Sequence, residues 1–527
     1  MRRRQLLTSA VPATVLMAPR IARAQAIRSL RFVPLTPLNV LDPIFVASLP
    51  TRNHAFMVFD TLYGQDPALR PQPQMASGHT IDDNGLTWTI RLRDGLAFHD
   101  GSPVLARDAV ASIRRWAARD SFGQELMAAT AELTAPDDKT IRFRLHRRFP
   151  HLALSLSGAT LVTPVIMPER LAMTDPFKPM PEIVGSGPYR FLPSAFVESS
   201  RAEYERFSGY QPRTDGKPGY LAGPKIAHLD RVIWTSIGDA GTAVAALRAG
   251  EVDWVEAPAP DLLPMLAANS KIVLEVNDPW GAMGVMRFNQ LLPPFNNPAI
   301  RRALLGAVDQ AAAMQALAGN DPALWKDGVG VFVPGTPCAN DAGIGTAASP
   351  PDYAKVKRDL AEAGYQGERV VVLGTSGPGF VPPMSEAGAA QLRAAGINVD
   401  FQVSDFGTMI RRSQNKGPAD QGGWNVYFFP ADAVFNQSPA TYAFLRGIGA
   451  KGAPGWPDSP RIEELRAAWL GTDDPAESMR ICRSLQEQVW RDVPFIPMGS
   501  WLRKTAFRRG LVDRPVGFPL FWGIRWA

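Results

Sequence analysis

The stretch Leu92–Trp116 reads LRDGLAFHDGSPVLARDAVASIRRW. Two Asp-Gly pairs, Asp94-Gly95 and Asp100-Gly101, bracket a short apolar run, and His99 stands directly before the second aspartate. Asp-Gly is a hairpin-turn dipeptide, because glycine takes positive φ cheaply and aspartate tolerates it. Upstream, Leu86, Trp88, Ile90 and Leu92 alternate with Thr87, Thr89 and Arg91, the pattern of a half-buried strand. Downstream the period changes, and Ala106, Val110, Ile113 and Ala117 fall on one helical stripe. The segment therefore predicts strand, turn, short strand, turn and helix. The competing reading makes His99, with Asp94 and Asp100 near it, an acid/base group. That role needs a cleft and a partner that the sequence does not supply.

The same alternation continues along the chain. Thr140–Leu145 reads as a strand, Asn297-Pro298 as a capped helix start, and Tyr353–Ala363 as a helix ending at Gly364. Arg369–Gly374 reads as a buried strand, Ala387–Ala395 as a helix and Ile397–Phe401 as a strand. Ile462–Leu470 and Pro475–Trp490 read as amphipathic helices. Helices alternating with strands predict an α/β fold. A chain of 527 residues exceeds one ordinary core and predicts at least two lobes.

Residues 1–24 carry Arg2-Arg3-Arg4, an apolar stretch and Ala22-Arg23-Ala24, the three parts of a cleavable secretory signal. Arg3-Arg4 also resembles a twin-arginine export signal, without the usual preceding serine or threonine, so both export routes stay open. The formal charge of +6 includes five arginines and no acid from this segment, which leaves +1 for the rest and no bulk-charge case for nucleic acid. The cysteines, Cys338 and Cys482, do not follow the signal, so a lipoprotein is not expected. The two thiols have the compartment to pair, but their separation in sequence says nothing about proximity. Nucleophile-elbow, phosphate-loop, dinucleotide, Cys-x-x-Cys and His-Glu-x-x-His motifs are absent. The six histidines show no metal-ligand spacing, and no cofactor or metal is expected.

The segment LTWTIRLRDGLAFHDGSPVLARDAVASIRRW resembles the signature of extracytoplasmic solute-binding proteins of ABC importers, family 5, the peptide/nickel-binding type. Gly185-Ser186-Gly187-Pro188-Tyr189, Ala246–Asp253, Phe288-Asn289, Ile300–Ala303 and Asp492–Pro497 resemble further family segments in the same order. One departure is Leu105, where the family usually places a threonine that caps the helix.

The resemblance implies a two-lobed periplasmic-binding-protein fold, type II and cluster C-like, with an extra subdomain in the first lobe. The implied division is lobe I at 25–62, 185–275 and 497–527, the extra subdomain at 63–184, and lobe II at 276–496. It implies a monomer in the periplasm that closes on a small solute, in the first place a di- or oligopeptide, and docks on permease subunits of the inner membrane. In peptide-binding members an aromatic-x-Ala-Asp segment lines the cleft and its aspartate pairs with the peptide amine. Phe429-Pro430-Ala431-Asp432 matches it, which makes Phe429, Ala431 and Asp432 candidate ligand contacts. Trp424 is a candidate apolar wall, and Leu49 ends a segment aligned with one that lends backbone contacts. The alternatives are the same role with a nickel chelate, sugar or amine compound, or an exported hydrolase acting near His99.

Overall fold

The computed structural model describes residues 27–345, 350–377 and 379–527. The expected signal segment lies outside the described residues.

Two large mixed sheets organise the chain. The first has seven strands in the order Tyr189–Phe191, Arg201–Arg206, Arg231–Thr235, Ser29–Val33, Trp254–Val255, Lys504–Arg508 and Ile272–Val276. At its centre Phe32 packs against Trp234, Trp254 and Phe521, with ring centroids 5.0–5.3 Å apart. The second has six strands in the order Trp325–Lys326, Phe495–Trp501, Ala282–Phe288, Val426–Asp432, Arg369–Ser376 and Asn398–Asp405. Every residue of its strand Ala282–Phe288 is buried, so the apolar run reads as continuous instead of alternating.

A four-stranded antiparallel sheet, Ala76–Asp82, Thr87–Leu92, Thr140–Leu145 and Thr130–Thr134, contains the strand of the opening stretch. Its Trp88, Ile90 and Leu92 are buried as the alternation predicts, and Gly95 and Gly101 take φ of 75° and 87°. The expected short strand between them reduces to one bridge, Ala97 to Pro103, flanked by bonds from Phe98 N–H to the Ser102 carbonyl at 2.8 Å and from Val104 N–H to the Leu96 carbonyl at 3.1 Å. The helix follows at Ala106–Ala117. Leu105 offers its start no side-chain acceptor, but Asp108 accepts from Leu105 N–H at 2.8 Å, and the Asp138 carbonyl takes Ala106 N–H at 2.7 Å.

Helix Val381–Ala394 begins six residues before the sequence reading, because Pro382 and Pro383 sit in its first turn, where no intrahelical N–H is needed. Cys338 and Cys482 are buried free thiols in hydrogen-bonding contact.

Between the two large sheets the chain passes at residues 277–281 and again at 502–503. The passages run side by side. Val276 is paired with Lys504 below them and Ala282 with Trp501 above them. Strand Phe495–Trp501 lies in the second sheet along its whole length, so the change of sheet comes at Leu502 and Arg503, past the 496/497 division read from sequence.

Candidate functional site

A cavity of about 50 Å³ lies where the two passages meet the facing ends of the sheets. Each of its charged residues arrives from a different element. Asp432 ends strand Val426–Asp432, opposite Ala282. Asp278 lies on the first passage and Arg503 on the second; Glu256 follows strand Trp254–Val255, and Arg52 sits in the first turn of helix Leu49–Val58. All five line the cavity, together with Leu49, Asn277 and Phe518.

Asp432 forms an ion pair with Arg503. Burial works against the Arg503 charge, but Asp432, Asp278 and Glu256 outweigh it and hold its pKa above the usual value. Glu256 accepts from Leu35 N–H at 2.6 Å, and Asp278 accepts from Trp280 and Gly281 N–H at 3.1 and 3.3 Å. Burial pushes both carboxyls above the ordinary range. Asn277 fixes the first passage by donating to the carbonyls of Pro515 and Gly517 at 2.9 and 2.8 Å.

Of the residues singled out from sequence, Asp432 and Leu49 come together at this cavity. Phe429 and Ala431 alternate with Asp432 along the strand; Ala431 is buried, and Phe429 packs against Tyr427 and Phe444. Trp424 is fully buried, meets Tyr427 edge-on, packs against a tilted Trp456 and donates to the Ser413 carbonyl at 3.0 Å. These three do not line the cavity. Arg52, Glu256, Asp278 and Arg503 were not singled out. The signal for Arg52 was a charge inside the apolar-ended run LPTRNHAFMV, whose residues from Pro50 onward are all buried.

His99 lies elsewhere. Its Nε2 bonds the Gly187 carbonyl at 3.0 Å, its Nδ1 accepts from Gly185 N–H at 3.4 Å, and its ring meets Phe207 edge-on. Burial pushes its pKa down to about 4. Among the described residues, no group of three or more His, Cys, Asp or Glu is placed to hold a metal ion.

Contacts away from the cavity join the second sheet's layer to the region 63–184. Gln65 donates to Gln437 at 3.2 Å, Arg148 pairs with Asp473 at 3.2 Å, and His151 stacks on Trp469 at 4.1 Å while bonding its carbonyl at 3.0 Å. The lobes are closed on each other.

A family model described as bacterial extracellular solute-binding proteins, family 5 Middle, matches residues 70–444. The chain belongs to this family. This family 5 protein is 34% identical over 535 aligned residues to a probable peptide ABC transporter periplasmic-binding protein of Sinorhizobium fredii, covering 100% of this chain and 99% of the relative. It is 25% identical to the glutathione-binding protein GsiB of Pectobacterium atrosepticum, covering 94% and 92% of the two chains. Two solved structures share its two-lobed fold. They are AgaA of A. tumefaciens R10 with agropinic acid (TM-score 0.78, 20% identity, 95% and 99% coverage) and a dipeptide-binding protein of Pseudoalteromonas sp. SM9913 with Met-Leu (0.77, 19%, 95% and 100%). The family's role is solute binding for transport, outside the cytoplasm. Among the described residues no helix is long and apolar enough to cross a membrane.

Proposed function

We propose that this solute-binding protein works in the periplasm as a monomer, captures a di- or oligopeptide between its lobes and delivers it to the permease subunits of an ABC importer. The observation that carries the reading is the convergence of Asp432, Asp278, Glu256, Arg52 and Arg503 from both lobes on one cavity. Such a set suits a solute with charged ends. The whole-length likeness to a relative named for peptide transport supports the ligand class. In this reading the signal at 1–24 is removed. Lobe I comprises 25–62, 185–276 and 503–527, the extra subdomain 63–184, and lobe II the rest. Asp432 and Leu49 touch the ligand; Phe429, Ala431 and Trp424 stiffen the strand that presents Asp432.

A ligand ammonium competes with Arg503 for Asp432, and its arrival loosens one link across the passages. Titration calorimetry with a panel of di- and tripeptides tests the assignment. Asp432→Asn is expected to weaken the best peptide at least tenfold; an unchanged Kd removes Asp432 from the site. If no peptide binds and native mass spectrometry finds a different co-purified solute, the ligand class moves with it.

A further inference from the structure

Of the two guanidiniums in the cavity wall, Arg503 is paired with a carboxylate, and Arg52 has no such partner among the described residues. Arg52 is 3% exposed. Its Nε and Nη2 both donate to Asn53 Oδ1, at 3.0 and 2.8 Å, and that acceptor is neutral. Asp432, Glu256 and Asp278 are near enough to favour its charge, yet among the described residues none forms an ion pair with it. One face is covered by Phe518, whose ring centroid is 3.6 Å from the guanidinium carbon, and Phe435 from the opposite lobe stands at 5.1 Å. The plane of the group is therefore fixed from two sides. Among the described residues no acceptor takes its Nη1 donors, and the residue lines the cavity.

A buried guanidinium without a carboxylate is a costly arrangement, and its burial lowers its pKa accordingly. The cost is relieved when a planar anion meets the free donors, since a guanidinium presents its N–H groups in a rigid fork that matches a carboxylate. Stacking on Phe518 keeps that fork oriented before the ligand arrives, which limits the ordering cost of binding. The position also matters for closure. Arg52 belongs to the first lobe and Phe435 to the second, so an anion held by Arg52 sits at the seam the lobes close over.

We infer that Arg52 is the anchor for a carboxylate of the solute, which makes the ligand class a zwitterion whose anionic end is read from the first lobe. The inference deepens the solute-binding reading and rests on it, but not on the ligand being a peptide. A purely structural Arg52, serving only as an aromatic-stacked spacer, predicts no dependence on ligand charge.

The test uses the full chain and matched ligand pairs, each carboxylate beside its primary amide. One set is peptides, for example alanyl-leucine and alanyl-leucinamide; the other is non-peptide amino-carboxylates and their amides. Affinities come from calorimetry, and the melting temperature of each ligand-free variant reports folding. Wild type is expected to bind the carboxylate at least tenfold more tightly than the amide. Arg52→Gln is expected to abolish that preference, and Arg52→Lys to retain part of it with a folded ligand-free protein. Carboxylate preference confined to non-peptide pairs overturns the peptide reading and upholds Arg52. Equal affinities within every pair, preference surviving in Arg52→Gln, or binding of only cationic or neutral solutes overturns the Arg52 assignment.

Discussion

His99 is held by its neutral form. Nε2–H donates to the Gly187 carbonyl while Nδ1 accepts from Gly185 N–H, a pattern that protonation of Nδ1 breaks. The bonded partner is itself tightly placed: a Cβ on Gly185 would stand 1.9 Å from the Val58 carbonyl oxygen. His99 thus ties the turn of the opening stretch to the Gly-Ser-Gly segment beneath helix Leu49–Val58. We expect His99→Ala to destabilise the protein by about 1–3 kcal/mol at pH 7.5, the usual range for buried hydrogen bonds left unmade, while changing solute affinity less than twofold. Because the folded pKa is about 4 against an ordinary 6.5, the wild-type contribution is complete above pH 6.5. It is lost as the pH falls from there through 4. Denaturant titrations at pH 7.5 and 4.5 should therefore show the gap between wild type and variant closing in acid. A gap that widens in acid rules out the neutral tautomer. Asp432 was legible because it ends a recognisable aromatic-x-Ala-Asp run. Arg52 and Arg503 were not, because an isolated arginine in sequence carries no sign of whether a carboxylate will meet it.

At the level of elements, period and punctuation revealed most of the secondary structure. Strand Thr87–Leu92 and helix Ala106–Ala117 follow directly from a period of two giving way to 3.6 across two glycines of positive φ. Helix Val381–Ala394 extends six residues ahead of the expected Ala387 start, with both prolines in its first turn. The departure at Leu105 has a local remedy in the bonds from Asp108 and Asp138, yet one cap acceptor remains missing. Leu105→Thr is expected to raise stability by about 0.5–2 kcal/mol by supplying it. Thermal unfolding of the pair measures this, and no gain means that the bond from Asp108 N–H to the Leu105 carbonyl already meets the need. The strands of the second sheet carried less information. Where every side chain of Ala282–Phe288 is buried, no alternation exists to fix which residues face the cavity.

On the scale of the whole molecule, closure is held at two places. One is the charged cavity beside the passages. The other is the far rim, where His151 lies flat on Trp469 with an interplanar angle of 5°. Removing that stack and its hydrogen bond by His151→Ala should favour the open form. Small-angle scattering of the ligand-free variant is expected to show a larger radius of gyration than wild type, and solute affinity should fall about two- to tenfold. Unchanged scattering and affinity would mean the rim contact follows closure without favouring it. The sheet orders were not legible in sequence at all, since pairing across hundreds of residues leaves no local trace. One of those pairings bears on how the molecule is built. Strand Lys504–Arg508 inserts between Trp254–Val255 and Ile272–Val276, which were synthesised more than 200 residues earlier. The second sheet has all its strands by Trp501, whereas the first waits with an internal gap for the last segment of the chain. The lobe that begins the polypeptide therefore cannot complete its sheet until the last segment is present, and a chain cut just after Trp501 has every strand of one sheet and leaves the other split.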